Sequence, residues 1–184
     1  MQSVVLLFGS NDAEASALVS HAVTECEATV GELVRLSEEY LSEAYGFTAE
    51  RQFVNRAAEF YTERDAYSLL DEINRIEARM GRDRNEERHV QALTGEQYAS
   101  RPIDIDIIFY GDSTFNDTRL TIPYHFLYER LYALRPVAEV APDRQHPALK
   151  LTPAEALRRA EAGVAEEFAE IGEVVEAVVE AEQK

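Results

Sequence analysis

A chain of 184 residues, 46% apolar and 29% charged, is long enough to bury one sizeable core without disulfide or metal staples. Its formal charge of -17 opposes phosphate-rich surfaces, which excludes a general nucleic-acid binder and a binder of anionic membranes. Cys26 is the single cysteine, so no intramolecular disulfide and no Cys-x-x-Cys centre can form.

Residues 3–8 read as a buried first strand. The run Val4-Val5-Leu6-Leu7-Phe8 has no basic residue before it and is too short for a signal segment or a membrane span, which sets the expectation of a cytoplasmic protein. Gly9-Ser10-Asn11-Asp12 supplies a turn and cap, and Ala15, Leu18, Val19 and Ala22 mark a helix to about Cys26. Residues 33–41 and 52–61 predict two strands around a loop at Gly46. Asp65 caps a helix with the stripe Leu69, Leu70, Ile73, Ile76 and Met80, stopped at Gly81. From Arg82 to Arg101 no apolar period is visible, so a mobile functional loop is expected there.

Residues 103–110 form the clearest strand, and a turn at Gly111-Asp112 predicts a hairpin reaching Thr121-Ile122. The order β-α-β-β-α-β predicts an α+β fold, a ferredoxin-like antiparallel sheet with helices on one face. Pro153 opens a further helix, and residues 164–184 read as an acidic amphipathic one. The expected division is one domain over 1–149 and a C-terminal helical extension over 150–184, packed on it or at a dimer contact. The chain would act as a monomer or a homodimer.

The chemistry concentrates on one strand. In Ile103-Asp104-Ile105-Asp106-Ile107 the period of two puts the isoleucines on the core face and both carboxylates on the other, with Cα atoms about 6.6–7 Å apart. Two like charges there call for a cation, and in the absence of His or Cys ligands at metal spacing Mg²⁺ with phosphate oxygens suits them. A solvated strand face is the plain alternative for a lone Asp-x-Asp. The basic residues argue otherwise: 16 are Arg against two Lys, and Arg82, Arg84, Arg101, Arg119 and Arg130 offer planar forks for phosphate. Neither a G-x-x-x-x-G-K-[ST] loop nor G-x-G-x-x-G is present, so the phosphate cradle must be side chains.

These residues resemble a known family, the 6-hydroxymethyl-7,8-dihydropterin pyrophosphokinases, over roughly residues 1–145. The resemblance rests on an ordered succession of blocks: Phe8-Gly9-Ser10-Asn11, Phe53-Val54-Asn55-Arg56-Ala57, Ile76 through Arg84, Arg101-Pro102-Ile103-Asp104-Ile105-Asp106, Arg119-Leu120-Thr121-Ile122-Pro123, Glu129-Arg130, and Pro136 through Pro142. It implies transfer of the β,γ-diphosphate of ATP to the pterin's hydroxymethyl oxygen with release of AMP, a step of folate biosynthesis. Two Mg²⁺ would sit on Asp104 and Asp106. Arg82, Arg84 and Arg101 would be catalytic; these three, with Leu70, Glu77, Ile107, Arg119, Thr121, Tyr124, His125 and Arg130, would bind ATP. The pterin would meet Ser42, Glu43, Tyr45, Phe53, Asn55, Asp104 and Tyr132, with Tyr98 a further aromatic. The chain departs from the family pattern at Ser42-Glu43-Ala44-Tyr45, at Ala99-Ser100 in place of Gly-Pro, and in the order Tyr124-His125. A diverged, non-catalytic paralogue that still binds nucleotide is the alternative reading.

Overall fold

The computed structural model describes residues 1–162, so the helix expected over 164–184 lies outside the described residues. The order of elements is β1 (Gln2–Ser10), α1 (Ala15–Thr29), β2 (Gly31–Leu36), β3 (Tyr40–Ser42), β4 (Phe53–Thr62), α2 (Ala66–Arg79), α3 (Arg84–Thr94), β5 (Asp104–Tyr110), β6 (Phe115–Asn116), β7 (Thr121–Ile122), α4 (Leu131–Val140) and α5 (Pro153–Glu161). The main sheet runs β2-β4-β1-β5 with every pairing antiparallel, and the short β3 continues along β4.

β1 is the central strand and is buried on both sides. Val4, Leu6 and Phe8 pack with α1 and α2, through Val19, Leu69, Ile73 and Ile76, while Val5 and Leu7 pack with Leu134, Val137 and Val140 of α4. The alternation of a strand explains both sets. Helices therefore cover both faces of the sheet, which corrects the expectation of one covered face. The near-continuous apolar run Val4–Phe8 is the mark of a strand buried twice over. What hid α4 is Pro136 inside it, which has no N–H to give Tyr132's carbonyl, although Ala133, Leu134, Val137 and Val140 keep the helical spacing.

Three further expectations are revised. The strand expected over 33–41 is two strands, because pairing with β4 shifts register between Leu33 and Arg35 and breaks off before Tyr40. The segment after Arg82 is not a loop throughout: Asp83 caps α3 by accepting from the Asn85 and Glu86 amides, and Gly95 ends it at φ 73. The cap pair makes this helix, since no residue of it is buried. Thr121-Ile122 pairs with Phe115-Asn116 in a separate two-stranded sheet rather than with β5.

The expected cap of α2 and the expected start of α5 are present. Asp65 caps α2 by accepting from Tyr67 and Ser68, and Thr152 with Glu155 closes a capping box on α5. Segment 146–156 joins the second core through Leu151 and Ala156, and the Tyr128 hydroxyl donates to the Leu151 carbonyl at 3.0 Å.

Candidate active site

The register of the sheet assembles the site. Gly9 on β1 stands opposite Asn55 on one side and Asp104 on the other, and Leu7 stands opposite Ala57 and Asp106. Residues facing each other across antiparallel strands point to one side, so Asn55, Gly9 and Asp104 form one row and Ala57, Leu7 and Asp106 the next. Leu7 and Ala57 belong to the core under α4. The polar row lies one pair further on, where that helix's cover ends. β3 extends it by setting Ser42 opposite Phe53 and Tyr40 opposite Asn55.

Above this row lies a cavity of about 1240 Å³. It brings together Ser42, Glu43, Tyr45, Phe53, Asn55, Leu70, Glu77, Arg82, Arg84, Tyr98, Arg101, Asp104, Asp106, Ile107, Arg119, Thr121, Tyr124, His125 and Tyr132, which is nearly the whole set singled out from the sequence. Arg130 is the exception. Its guanidinium lies 3.2 Å from the Tyr45 ring centroid and 4.8 Å from that of Phe126, two residues that line the cavity. The two aromatic faces attract its charge, and among the described residues it makes no ion pair with a carboxylate.

The carboxylates sit in a strongly cationic setting. Arg82 hydrogen-bonds Asp104 through Nη1, and Arg101 Nη2 lies 2.9 Å from the other Asp104 oxygen. Burial by itself would raise the Asp104 carboxyl, but Arg101 and Arg82 outweigh it and hold it below its ordinary value. Asp106 has no such clamp: burial and the charge of Asp104 push its carboxyl well above the usual carboxylate range. One strand thus carries a clamped carboxylate beside one that, among the described residues, forms no direct ion pair.

Glu77, expected along the nucleotide, turns out to organise the arginines. Its side chain is 1% exposed and accepts from the Ile105 amide at 2.9 Å, from Arg82 at 2.7 Å and from Arg84. Burial raises its carboxyl, with Arg82 pulling the other way. Glu87, which the sequence reading passed over, grips Arg82 at 2.8 and 3.2 Å from α3. Asn74 likewise accepts from Arg84 at 3.0 Å. The Asp83 and Gly95 caps were the available signal for α3 and hence for Glu87.

On the opposite wall Asn55 is 3% exposed and donates to the Tyr40 carbonyl at 3.1 Å and to Ser42 Oγ at 2.9 Å. Both amide hydrogens are spent, so the side chain offers a ligand an acceptor. Phe47, also missed from sequence, meets Phe53 edge-on at 6.1 Å. Arg101 lies 5.8 Å from both the Phe53 and Tyr98 rings. Among the described residues Arg101 Nε and Arg130 Nε are buried with no hydrogen-bond partner. Such orphaned donors cost folding free energy, about 1–3 kcal/mol each, and mark places where an acceptor belongs.

The family model for 7,8-dihydro-6-hydroxymethylpterin-pyrophosphokinase matches residues 5–142. A Methylorubrum extorquens protein named 2-amino-4-hydroxy-6-hydroxymethyldihydropteridine pyrophosphokinase is 34% identical over 144 residues, 78% of this chain and 85% of its own length. A Pseudomonas aeruginosa protein of the same name is 30% identical over 148 residues, 80% of this chain and 85% of the relative. Among solved structures, Plasmodium falciparum HPPK-DHPS with pteroate superposes at a TM-score of 0.69 and 15% identity. That match covers 91% of this chain but 44% of the longer one, and it shows likeness of fold.

Proposed function

Because the chain belongs to the 7,8-dihydro-6-hydroxymethylpterin-pyrophosphokinase family, we propose that it transfers the β,γ-diphosphate of ATP to the hydroxymethyl oxygen of 6-hydroxymethyl-7,8-dihydropterin, releasing AMP in folate biosynthesis. The pterin oxygen bonds to the β-phosphorus, the bond from that phosphorus to the α,β-bridging oxygen breaks, and the hydroxyl proton leaves to solvent. The observation that carries this reading is the pair Asp104 and Asp106 facing, across one cavity, Arg82, Arg84, Arg101 and Arg119. The strand order β2-β4-β1-β5 supports a ferredoxin-like frame for it, residues 1–149 being the catalytic unit and 150–184 an extension.

The donor set fits magnesium. Two carboxylate oxygen donors sit side by side, the raised Asp106 carboxyl is one that a cation would relieve, and no third His, Cys, Asp or Glu completes a protein cage among the described residues. Water and phosphate oxygens would supply the remaining ligands, as Mg²⁺ prefers. Asp104 and Asp106 would hold two such ions, which neutralise triphosphate charge.

The chain's own groups do the rest by position and charge. Arg101 Nε, buried and unpaired, is a donor ready for a phosphate oxygen. Arg82 and Arg84, fixed through Glu77, reach the cavity from the α2–α3 corner, and Arg119 from beside β7. Phe53 and Tyr132 offer walls for the flat pterin, and the Asn55 acceptor matches its N–H edge. The test is AMP release with Mg²⁺-ATP, with and without the pterin, using Asp104→Asn as control. Pterin-dependent AMP that vanishes in the variant is expected. Nucleotide binding without any AMP would favour the non-catalytic paralogue.

A further inference from the structure

We infer that Asn11 is a positioning residue for this transfer, acting through Arg101 with Ser100 as its second handle. The inference rests on the proposed reaction. Asn11 follows β1 in a turn braced by its own hydrogen bonds: the Asp12 amide donates to Ser10 Oγ at 3.3 Å and the Glu14 amide to Asp12 Oδ1 at 3.0 Å. The Asn11 side chain is 5% exposed and both ends of its amide are engaged. Nδ2 donates to Ser100 Oγ at 2.8 Å, and Oδ1 accepts from the Arg101 amide at 3.1 Å. One side chain therefore grips two consecutive residues some ninety positions away in sequence, at |i−j| of 89 and 90.

The place of this clasp gives it its consequence. Upstream lies α3, with no buried residue; downstream Ile103, fully buried, leads into β5. The clasp separates a lightly held segment from the sheet and leaves Arg101 on the sheet side. From there the guanidinium sets Nη2 2.9 Å from Asp104 and lies between the Phe53 and Tyr98 rings, its Nε buried without a partner. Movement of α3 then need not carry Arg101 with it. A donor aligned before the substrates arrive costs no reorganisation in the transition state, while misplacement by about 1 Å costs on the order of 100-fold in rate. Many other groups bind the substrates, so loss of the clasp should act on kcat rather than on either KM.

The experiment measures kcat, both KM values and melting temperature for the full chain, wild type and four variants. Asn11→Ala should lower kcat by roughly 10- to 100-fold with each KM within about 3-fold. Ser100→Ala, on an exposed residue, should lower kcat by roughly 3- to 10-fold, and the double variant should match Asn11→Ala alone, because one clasp is broken only once. Asn11→Asp should restore most of the rate, since a carboxylate accepts both the Arg101 N–H and the Ser100 O–H. Hydrogen exchange at the Arg101 amide should quicken in Asn11→Ala while α3 is unchanged. An active wild type with a kcat-neutral Asn11→Ala, or additive effects of the two alanines, overturns the inference alone. An Asn11→Ala chain that does not fold leaves Ser100→Ala to decide, and unchanged kcat there overturns it too. An inert wild type overturns the proposed reaction together with it.

Discussion

His146 makes the second core of this protein sensitive to acid. The ring is 6% exposed, packs 5.6 Å from the Tyr128 ring, and its Nδ1 accepts from the Ala148 and Leu149 amides at 3.2 Å each. Burial, aided by the Lys150 charge, lowers its pKa from 6.5 to about 4. Between those values the unfolded chain binds a proton that the folded chain refuses, so stability is complete above pH 6.5 and falls as the pH drops toward 4. Linkage gives a loss of about 2 kcal/mol by pH 5 and about 3 kcal/mol by pH 4 from this group. In a protein of this size that corresponds to a fall in melting temperature of roughly 4–8 °C at pH 5. The assay is urea unfolding of wild type and His146→Asn at pH 7, 6 and 5. Asparagine keeps an acceptor for the turn amides but does not titrate, and it forfeits the ring packing. The variant should start below wild type at pH 7, and the gap should narrow by about 2 kcal/mol at pH 5. Parallel pH dependences in the two proteins would refute the reasoning.

Asp104→Asn and Asp106→Asn should each lower pterin-dependent AMP release by at least about 1000-fold while the far-ultraviolet circular dichroism stays native, since each removes half of the paired carboxylates; full activity in both would remove the two-metal reading. Gly46→Ala puts a Cβ 2.9 Å from the Tyr98 ring at a residue with φ +73. The strain, of order 1–3 kcal/mol, should appear as a several-fold rise in the pterin KM, and an unchanged KM would show that this loop does not shape the pterin site. Arg130→Lys should lower stability by about 1 kcal/mol in urea unfolding, because a compact ammonium lacks the planar guanidinium that lies over the Tyr45 and Phe126 rings, and an unchanged stability would show that this stacking contributes nothing.

The signals readable from the chain were those whose cause is local. Alternation at Ile103–Ile107, the Asp65 cap, the stop at Gly81 and the helix start at Pro153 are each made by a few neighbouring residues, and each stands as expected in the fold. The cluster of arginines around a paired carboxylate was visible for the same reason: composition and spacing are properties of the chain itself. Where the reading went astray, distance in sequence was the cause. α4 is a helix around Pro136 because the uncovered face of β1 and β4 needs an apolar partner, a demand that exists only once those strands pair. Glu77 lines the cavity, but its partners Ile105, Arg82 and Arg84 were not readable from the chain, because the packing of α2 against β5 brings them to it. The stacking of Arg130 on Tyr45, 85 positions earlier in the chain, is a partnership of the same kind. The sequence by itself determined which charged groups this protein owns and which strand bears its carboxylates. Only the tertiary structure decided which of those charges neutralise one another, because a side chain's partner is set by strand register and helix packing, and Coulomb attraction acts on distance in space.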